Sequence, residues 1–408
     1  MTEPETDNSA MESTMDIAPY IHWHMSTENR VRAIAFYLPQ FHPIPENDEW
    51  WGKGFTEWIN VAKARPLFRG HYQPKVPADL GFYDLRVPEV REQQSNLARA
   101  HGLEAFCYYD YWFAGKRLLE RPFSEVLSSG RPQFPFCLCW ANQTWSGIWH
   151  GAPNRTLIEQ TYPGAADHVA HFRALEPAFH DPRYLRVEGK PVFMVFRPKE
   201  LPDVQKTADL WRELAARSGL NDFFLIGIAR ARVSDSPPDR WVPQEHGFDA
   251  SVSSGVFRDK RRITGRVLWN RALRLIRHRA PGPTRYSYEE ISATLAFERV
   301  AGVETYPCVT PNWDNTPRSG RNGVVYEGAT PELFRPLLKR AIAIVDVLPW
   351  ERRLVFIKSW NEWAEGNYLE PDLRFGHGFL EVLKQEVVAD QDRITLRASA
   401  VEPSLSQP

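Results

Sequence analysis

The segment Trp360-Asn361-Glu362-Trp363-Ala364-Glu365-Gly366 sets two carboxylates three residues apart among two indoles. It follows Leu354 to Ile357, a short apolar run that reads as a buried strand. Both acids therefore fall just past a strand end, where one helical turn would face them the same way. Glycosidic chemistry needs a proton donor at the departing oxygen and a second group at the positive anomeric carbon, and paired carboxylates supply both. Mutual repulsion and burial between Trp360 and Trp363 are expected to raise one pKa, leaving an acid beside a base near neutral pH. A competing reading is purely local. Ser359 and Glu362 have capping-box spacing, which would make Glu362 a helix-start stabiliser, but capping explains neither Glu365 nor the two indoles.

The elements that must position these acids form a repeating series. Strand candidates are Ala33 to Leu38, Ala105 to Tyr109, Pro135 to Trp140, Val192 to Phe196, Phe223 to Ile228, Ala250 to Ser253, Tyr306 to Thr310 and Leu354 to Ile357. Helix candidates lie between them: Pro88 to Ala100, Leu119 to Leu127, Ala165 to Phe179, Val204 to Ser218, Tyr288 to Val300 and Pro331 to Val347, with an eighth from Gly378 to Val388 and only a weak one before Gly247. Eight strands apolar on both faces, each followed by a helix-length segment, predict parallel strands covered by helices. The expected fold is α/β, a (β/α)8 TIM-type barrel with long βα loops. An open doubly wound sheet is the alternative, but no Gly-x-Gly-x-x-Gly turn follows the first strand. Residues 1–30 read as a polar leader, 31–388 as the catalytic domain with a basic insertion at about 257–286, and 389–408 as a tail.

In such a barrel the loops after the strands build the site. The residues at and beyond these strand ends are polar and aromatic: Tyr37 and His42 at the first, Tyr109, Asp110 and Trp112 at the second, Trp140 and Asn142 at the third. Arg197 comes after the fourth strand, Arg230 after the fifth, Trp313 and Asp314 after the seventh, and Lys358, Trp360 and Asn361 accompany the acids on the eighth. All of these except Arg230 are the expected substrate-binding residues, with Tyr109, Trp112, Trp140 and Trp313 expected to stack on sugar. The bland reading of each is a core aromatic, a structural hydrogen bond or a loop-fixing turn.

Other chemistries fit poorly. His22, His24, His168 and His171 lack zinc-ligand patterns, so no metal and no cofactor is expected. No Gly-x-Ser-x-Gly turn marks a serine nucleophile. Gly52, Gly54 and Thr56 lack phosphate-cradling spacing. Cys107, Cys137, Cys139 and Cys308 sit in or beside strand-like runs and read as reduced packing residues. A net charge of −1 over 408 residues argues against a nucleic-acid partner. No stretch of eighteen apolar residues and no secretion signal is visible, which predicts a cytoplasmic protein.

Several separate motifs carry a resemblance. Ala35-Phe36-Tyr37-Leu38-Pro39-Gln40-Phe41-His42-Pro43-Ile44-Pro45-Glu46-Asn47, Trp51-Gly52-Lys53-Gly54-Phe55-Thr56-Glu57-Trp58, Phe106-Cys107-Tyr108-Tyr109, Phe136-Cys137-Leu138-Cys139-Trp140-Ala141-Asn142 and the acidic segment resemble the WbsX-type proteins of polysaccharide gene clusters. That family is itself similar to glycoside hydrolase family 99, the endo-α-mannosidases and endo-α-mannanases. The resemblance spans about Val31 to Leu383 and implies a (β/α)8 barrel, with the two acids carried onto Glu362 and Glu365. It implies that the first acid draws the proton from a sugar 2-hydroxyl, giving a 1,2-anhydro intermediate, while the second protonates the leaving oxygen and then activates the acceptor, with retention. Departures touch the substrate: Gln143 stands where many relatives have Glu, Asp110 where many have His, and Lys358-Ser359 where an Asn-Ala pair is frequent. Lys358 would suit an anionic sugar or a diphosphate leaving group.

The expected function is glycosyl transfer in surface polysaccharide (O-antigen or capsule-type) biosynthesis. The alternatives are a retaining endo-α-glycosidase or transglycosylase and a non-catalytic glycan-binding barrel. Expected partners are a glycan or sugar donor, a nucleotide sugar or a lipid-linked acceptor. Arg258 to Arg285 carries ten Lys or Arg and one acid, Asp259. Leu268, Ala272, Leu275 and Ile276 fall there at helical spacing beside Arg266, Arg271, Arg274 and Arg277, which predicts a basic amphipathic helix peripheral to the inner membrane. The competing reading is a solvated helix packed on the barrel.

Overall fold

The structure is a computed structural model that describes residues 29–147, 152–229, 242–253, 282–295, 297 and 302–388. Residues 1–28 of the expected leader, the expected tail, Arg230 and nearly all of the basic stretch lie outside the described residues.

Seven of the eight expected strands are continuous: β1 (Arg32–Tyr37), β2 (Leu103–Phe113), β3 (Phe136–Trp140), β4 (Lys190–Val195), β5 (Phe224–Ala229), β6 (Ala250–Ser253) and, last in the chain, β8 (Leu354–Ile357). Strand β7 comes in two pieces, Thr305–Tyr306 and Cys308–Val309. Pro307 between them has no N–H for the ladder, though its carbonyl accepts from Phe356 N at 3.0 Å. Strands β1 to β6 pair in chain order, all parallel, and β8 lies against β1 in the register Arg32 to Leu354 through Ala35 to Ile357. The first piece of β7 pairs with β6 and the second with β8, so nine parallel segments form eight staves.

Helices α1 (Pro88–Ala100), α2 (Arg121–Ser129), α3 (Ala165–Phe179), α4 (Val204–Arg217), α5 (Tyr288–Thr294), α6 (Pro331–Val345) and α7 (Gly378–Val387) cover the staves. Their starts are written locally. Pro88 and Pro331 occupy first-turn positions, and Asp203 and Thr330 accept from the N–H groups of Lys206 and Leu333. Between β5 and β6 the described residues hold one 3-10 turn, Pro243–His246. The connection from β1 to α1 is long and folds its own short helices, Pro45–Trp51 and Glu57–Ala62.

Strand alternation sorts the side chains. Contacts that skip a stave mark the inside: Cys107 on β2 meets Met194 on β4 at 3.5 Å, and Tyr306 of β7 faces Phe224 of β5. The four cysteines are free and buried, as packing residues. Contacts with helices mark the outside, as where Tyr37 donates to Gln94 of α1 and Phe193 stacks on Trp211 of α4.

At the amino-terminal end of the barrel, Arg32 is buried and carries several partners. Its guanidinium donates to Glu104 at 2.6 and 3.0 Å and to the carbonyls of Arg186 and Glu351 at 2.9 Å. Replacing it with Met leaves Glu104 and both carbonyls without their donor, and removing one partner of a buried pair costs about 3–5 kcal/mol. Arg32→Met is therefore expected to lower the urea midpoint correspondingly at unchanged m-value. A loss under about 1 kcal/mol, the range of exposed pairs, would contradict this account.

Candidate active site

The chain leaves β8 at Lys358, still pointing inward, and turns sharply across the barrel mouth. Ser359 Oγ donates to Phe36 O at 3.1 Å and accepts from the N–H groups of Asn361 and Glu362. Asn361 grips the end of β1 from both sides: Oδ1 accepts from Leu38 N at 2.8 Å and Nδ2 donates to Leu38 O at 3.1 Å. After this two-point anchor, Trp363–Glu365 form a single 3-10 turn. The expected shared turn therefore exists, but as a 3-10 turn that Glu362 precedes. Ser359 does bond to the Glu362 N–H as capping would require, without an α-helix after it. Gly366 closes the turn at φ 56°, and a Cβ there would lie 2.7 Å from Lys75 Nζ and 2.8 Å from Asp314 Cβ. Only glycine fits that crossing.

The two carboxyls end up paired with each other and enclosed, with Glu362 5% and Glu365 8% exposed. Lys358 Nζ lies 3.5 Å from Glu362 Oε2 and donates to the Tyr109 hydroxyl at 2.9 Å. Arg318, from the loop after β7, donates through Nη1 to Glu365 at 2.7 Å and through Nε to Glu57 at 3.0 Å. Tyr111 completes the inner wall beside Glu362. Burial pushes the Glu362 carboxyl up to about 7, reinforced by the Glu365 charge and opposed by Lys358 and Arg318. Burial works against the Lys358 charge, but Glu362 and Glu365 outweigh it and hold its pKa above the ordinary value. An acid that is protonated near neutrality, beside a carboxylate and two cations, can both give and take a proton at one bond.

Of the residues expected to bind substrate, the structure brings Tyr109 and Lys358 to the acids and sends most others elsewhere. Trp112 and Trp140 sit on the helix side of the staves, where both pack on His171 of α3. Asp110 faces the same way, held by Arg117 at 2.7 Å and His171 at 2.8 Å. The reason is the two-residue period: Tyr109 and Tyr111 point inward, so Asp110 and Trp112 must point out. Tyr37 points out by the same rule. Asn142 clamps Arg197, accepting from its N–H at 2.7 Å and donating to its carbonyl at 2.9 Å, while the Arg197 guanidinium is half exposed beside Glu200. His42 is buried and donates from Nδ1 to Pro39 O. Trp313 packs on Tyr326, and Asp314 receives His71 Nε2 at 2.7 Å, Gln73 Nε2 at 2.8 Å and the Thr316 hydroxyl at 2.6 Å.

Trp360 and Trp363 do not sandwich the acids. Both are fully buried behind them, Trp360 against Phe106 and Trp363 against Trp58 and Tyr368. Trp363 Nε1 donates at 2.6 Å to Glu370, a buried carboxyl that also receives Gln94 and Tyr83 and that burial pushes up to about 7. The expected site residues do not include Glu57, Tyr111, Arg318 and Glu370. Tyr111 is legible from alternation once Tyr109 is placed inward. Glu57 and Arg318 come from distant loops, Glu370 follows the acid turn itself, and no spacing marks any of the three.

An eight-stave parallel barrel carrying a buried acid pair on the loop after its last strand defines a (β/α)8-type fold. The chain belongs to the WbsX family: residues 33–383 match the family described as Glycosyltransferase WbsX. It is 40% identical over 364 residues to the "Uncharacterized protein WxcX" of Xanthomonas campestris pv. campestris strain B100, covering 89% of this chain and 50% of that protein. The chain thus spans about half the length of the curated relatives it matches. Among solved structures it resembles a "Glycoside hydrolase-like protein" (TM-score 0.54, 15% identity, 89% of this chain and 95% of that one). It also resembles the GH99 endo-alpha-mannosidase from Bacteroides thetaiotaomicron (TM-score 0.51, 14% identity, 90% and 98%). At that identity the likeness establishes the fold.

The Asp110 cluster yields a pH prediction. Burial alone would raise this carboxyl, but Arg117 and His171 outweigh it and hold it down to about 2. A carboxyl depressed in the folded state contributes stability that is present above its unfolded pKa, near about 4, and lost as pH falls toward about 2. Asp110→Asn is therefore expected to lose about 3–5 kcal/mol near pH 6, with the gap to wild type narrowing steadily below about pH 4. Urea unfolding across this range measures it, and a gap that stays constant with pH contradicts the assignment.

Proposed function

We propose that this protein transfers a glycosyl group during surface polysaccharide assembly, with Glu362 and Glu365 as its acid–base pair. The observation that carries the reading is the enclosed carboxyl pair at the barrel mouth, flanked by Lys358 and Arg318. Burying two acids costs several kcal/mol per ion, and the fold supports that cost with cations from two different loops. The Lys358 ammonium suits a donor whose leaving group is anionic, as in a nucleotide sugar or a lipid-linked diphosphate. The proposed setting is the cytoplasmic face of the membrane. Among the described residues no helix is long and apolar enough to cross a membrane. The basic stretch from Arg258 is the part proposed to meet anionic lipid.

The test is a panel of nucleotide sugars and isolated surface glycans. Nucleotide release that depends on the acceptor glycan is expected. New reducing ends on the glycan without nucleotide release would replace transfer by a retaining endo-α-glycosidase reading. Glycan binding with neither product would leave a binding barrel.

Loss of either acid is expected to lower turnover by about 10²- to 10⁴-fold, the usual contribution of a general acid or base. Glu362→Gln and Glu365→Gln preserve shape, so melting temperatures near wild type should accompany the loss. Turnover within about threefold of wild type in either variant contradicts the assignment of that residue, since the general acid–base range begins well above it.

A further inference from the structure

Beneath the acid turn, Glu370 is 2% exposed, and the donors that reach it are aimed by groups outside it. An indole can only donate, and Trp363 gives its Nε1 proton to Glu370 Oε2 at 2.6 Å. The Tyr83 hydroxyl donates to the same oxygen at 2.9 Å. That direction is set from β1. Asn361 binds the Leu38 backbone with both ends of its amide, so its Nδ2, 3.3 Å from the Tyr83 oxygen, must donate there too. Gln94 of α1 accepts from the Tyr37 hydroxyl at 2.7 Å and turns its Nε2 to Glu370 Oε1, also at 2.7 Å. An ionised carboxyl accepts at both oxygens and suits this set. A neutral one brings a proton from solvent that fits at Oε1 by turning Gln94 over and reversing the Tyr37 contact.

We propose that Glu370, as a carboxylate, is a positioning residue for the acid turn, and that adding a proton to it loosens Trp363 and with it the setting of Glu362 and Glu365. Trp363 stands between the two acids in the chain, and its ring packs on Tyr368 at 3.8 Å and on Trp58 at 5.7 Å. Trp58 Nε1 donates to Tyr83 O at 2.7 Å, so both donors on Glu370 Oε2 belong to one packed unit under the turn. Glu370 N donates to Trp360 O at 3.3 Å, which ties the segment's two ends together. Glu370 thus acts through Trp363 and Tyr83. Its importance to turnover rests on the reading of the pair as the acids of a glycosidic reaction.

The groups facing Glu370 come from three elements besides its own. Tyr37 on β1 and Tyr83 in the connection after it are both pushed up by burial and stay neutral around pH 7. Arg91 on α1 faces Tyr37 and is paired with Glu125 at 2.9 Å. Burial pushes the Glu370 carboxyl up to about 7, opposed by the bonds from Trp363, Gln94 and Tyr83, so both of its forms are populated around neutral pH. Glu362 titrates in the same range, and the two must be read separately.

The experiment follows the indole N–H resonances of the whole chain, carrying isotope-labelled tryptophan and no substrate, from about pH 5 to about pH 9 to bracket a perturbed carboxyl. The Trp363 resonance is the one lost in Trp363→Phe. In the wild type it is expected to titrate near neutral pH, moving upfield on the acid side as its carboxylate acceptor is neutralised. It should be fixed in Glu370→Gln and still titrate in Glu362→Gln and Glu365→Gln. Should Glu370→Gln fail to fold, Tyr83→Phe decides, because losing a donor to the charged form raises the midpoint. A Trp363 resonance that ignores pH in the wild type overturns the proposal. So does a titration that survives in Glu370→Gln, vanishes in Glu362→Gln or keeps its midpoint in Tyr83→Phe. In the transfer assay, Glu370→Gln is expected to lower kcat by about 10²-fold with KM little changed, the effect of a small misplacement, and wild-type kcat overturns the positioning role. The two readings fail separately. Loss of turnover in both acid variants with no Glu370-dependent titration sinks this proposal and leaves the glycosidic reading. A Glu370-dependent titration with full turnover in both acid variants sinks the glycosidic reading, and the positioning role with it.

Discussion

Two carboxyls three residues apart, closed off at the mouth of a barrel, are the constraint on which the rest of the site depends. Like charges that close cannot both stay ionised in a low-dielectric setting without compensation. The structure compensates twice, with Lys358 from the inner face of β8 and Arg318 from the loop after β7. Neither cation would be held without further neighbours. Tyr109 fixes the ammonium, Glu57 fixes the guanidinium, and Asp314 N donates to Glu365 O at 2.7 Å to tie the two loops together. Long loops after β1, β7 and β8 thus converge because each supplies what another lacks.

The acid turn is precise because it is anchored at both ends by backbone-directed bonds. Asn361 pairs with Leu38 as though extending β1, and Gly366 accepts Lys75 at 3.1 Å where any side chain would collide. Beneath the turn, Glu370 gathers Trp363, Gln94 and Tyr83 into one buried cluster. Its pKa, pushed up to about 7, leaves it largely protonated on the acid side of neutrality, which lowers the desolvation cost of keeping a carboxyl there. The indoles are thereby part of the foundation, and tyrosines form the inner wall beside Glu362.

The mouth is correspondingly different from a simple ring of aromatic residues. The polar outer layer, Asp110 with Arg117 and His171, locks β2 to α3. The inner layer of Tyr109, Tyr111 and Phe196 lines the approach to the acids. The charge at Asp110 is matched by Arg117 and His171. Lys358, another departure from the family pattern, stands 3.5 Å from Glu362 Oε2.

Sequence by itself determined the staves, most of the covering helices and the acid pair, because these are local. Apolar runs of strand length, Pro88 and Pro331 at helix starts, and a Glu-x-x-Glu spacing behind a strand need no distant partner to be recognised. It also located the mouth, since a parallel barrel gathers every βα loop at one end. Which residues at each strand end face inward was decided by register, where a shift of one residue exchanges Asp110 for Tyr109 and Trp112 for Tyr111. Arg318 and Glu57, 261 residues apart in the chain, meet only because the barrel closes β7 and β8 back onto β1. No periodicity encodes such a pair. Tertiary closure alone brings a guanidinium to one acid and an ammonium to the other.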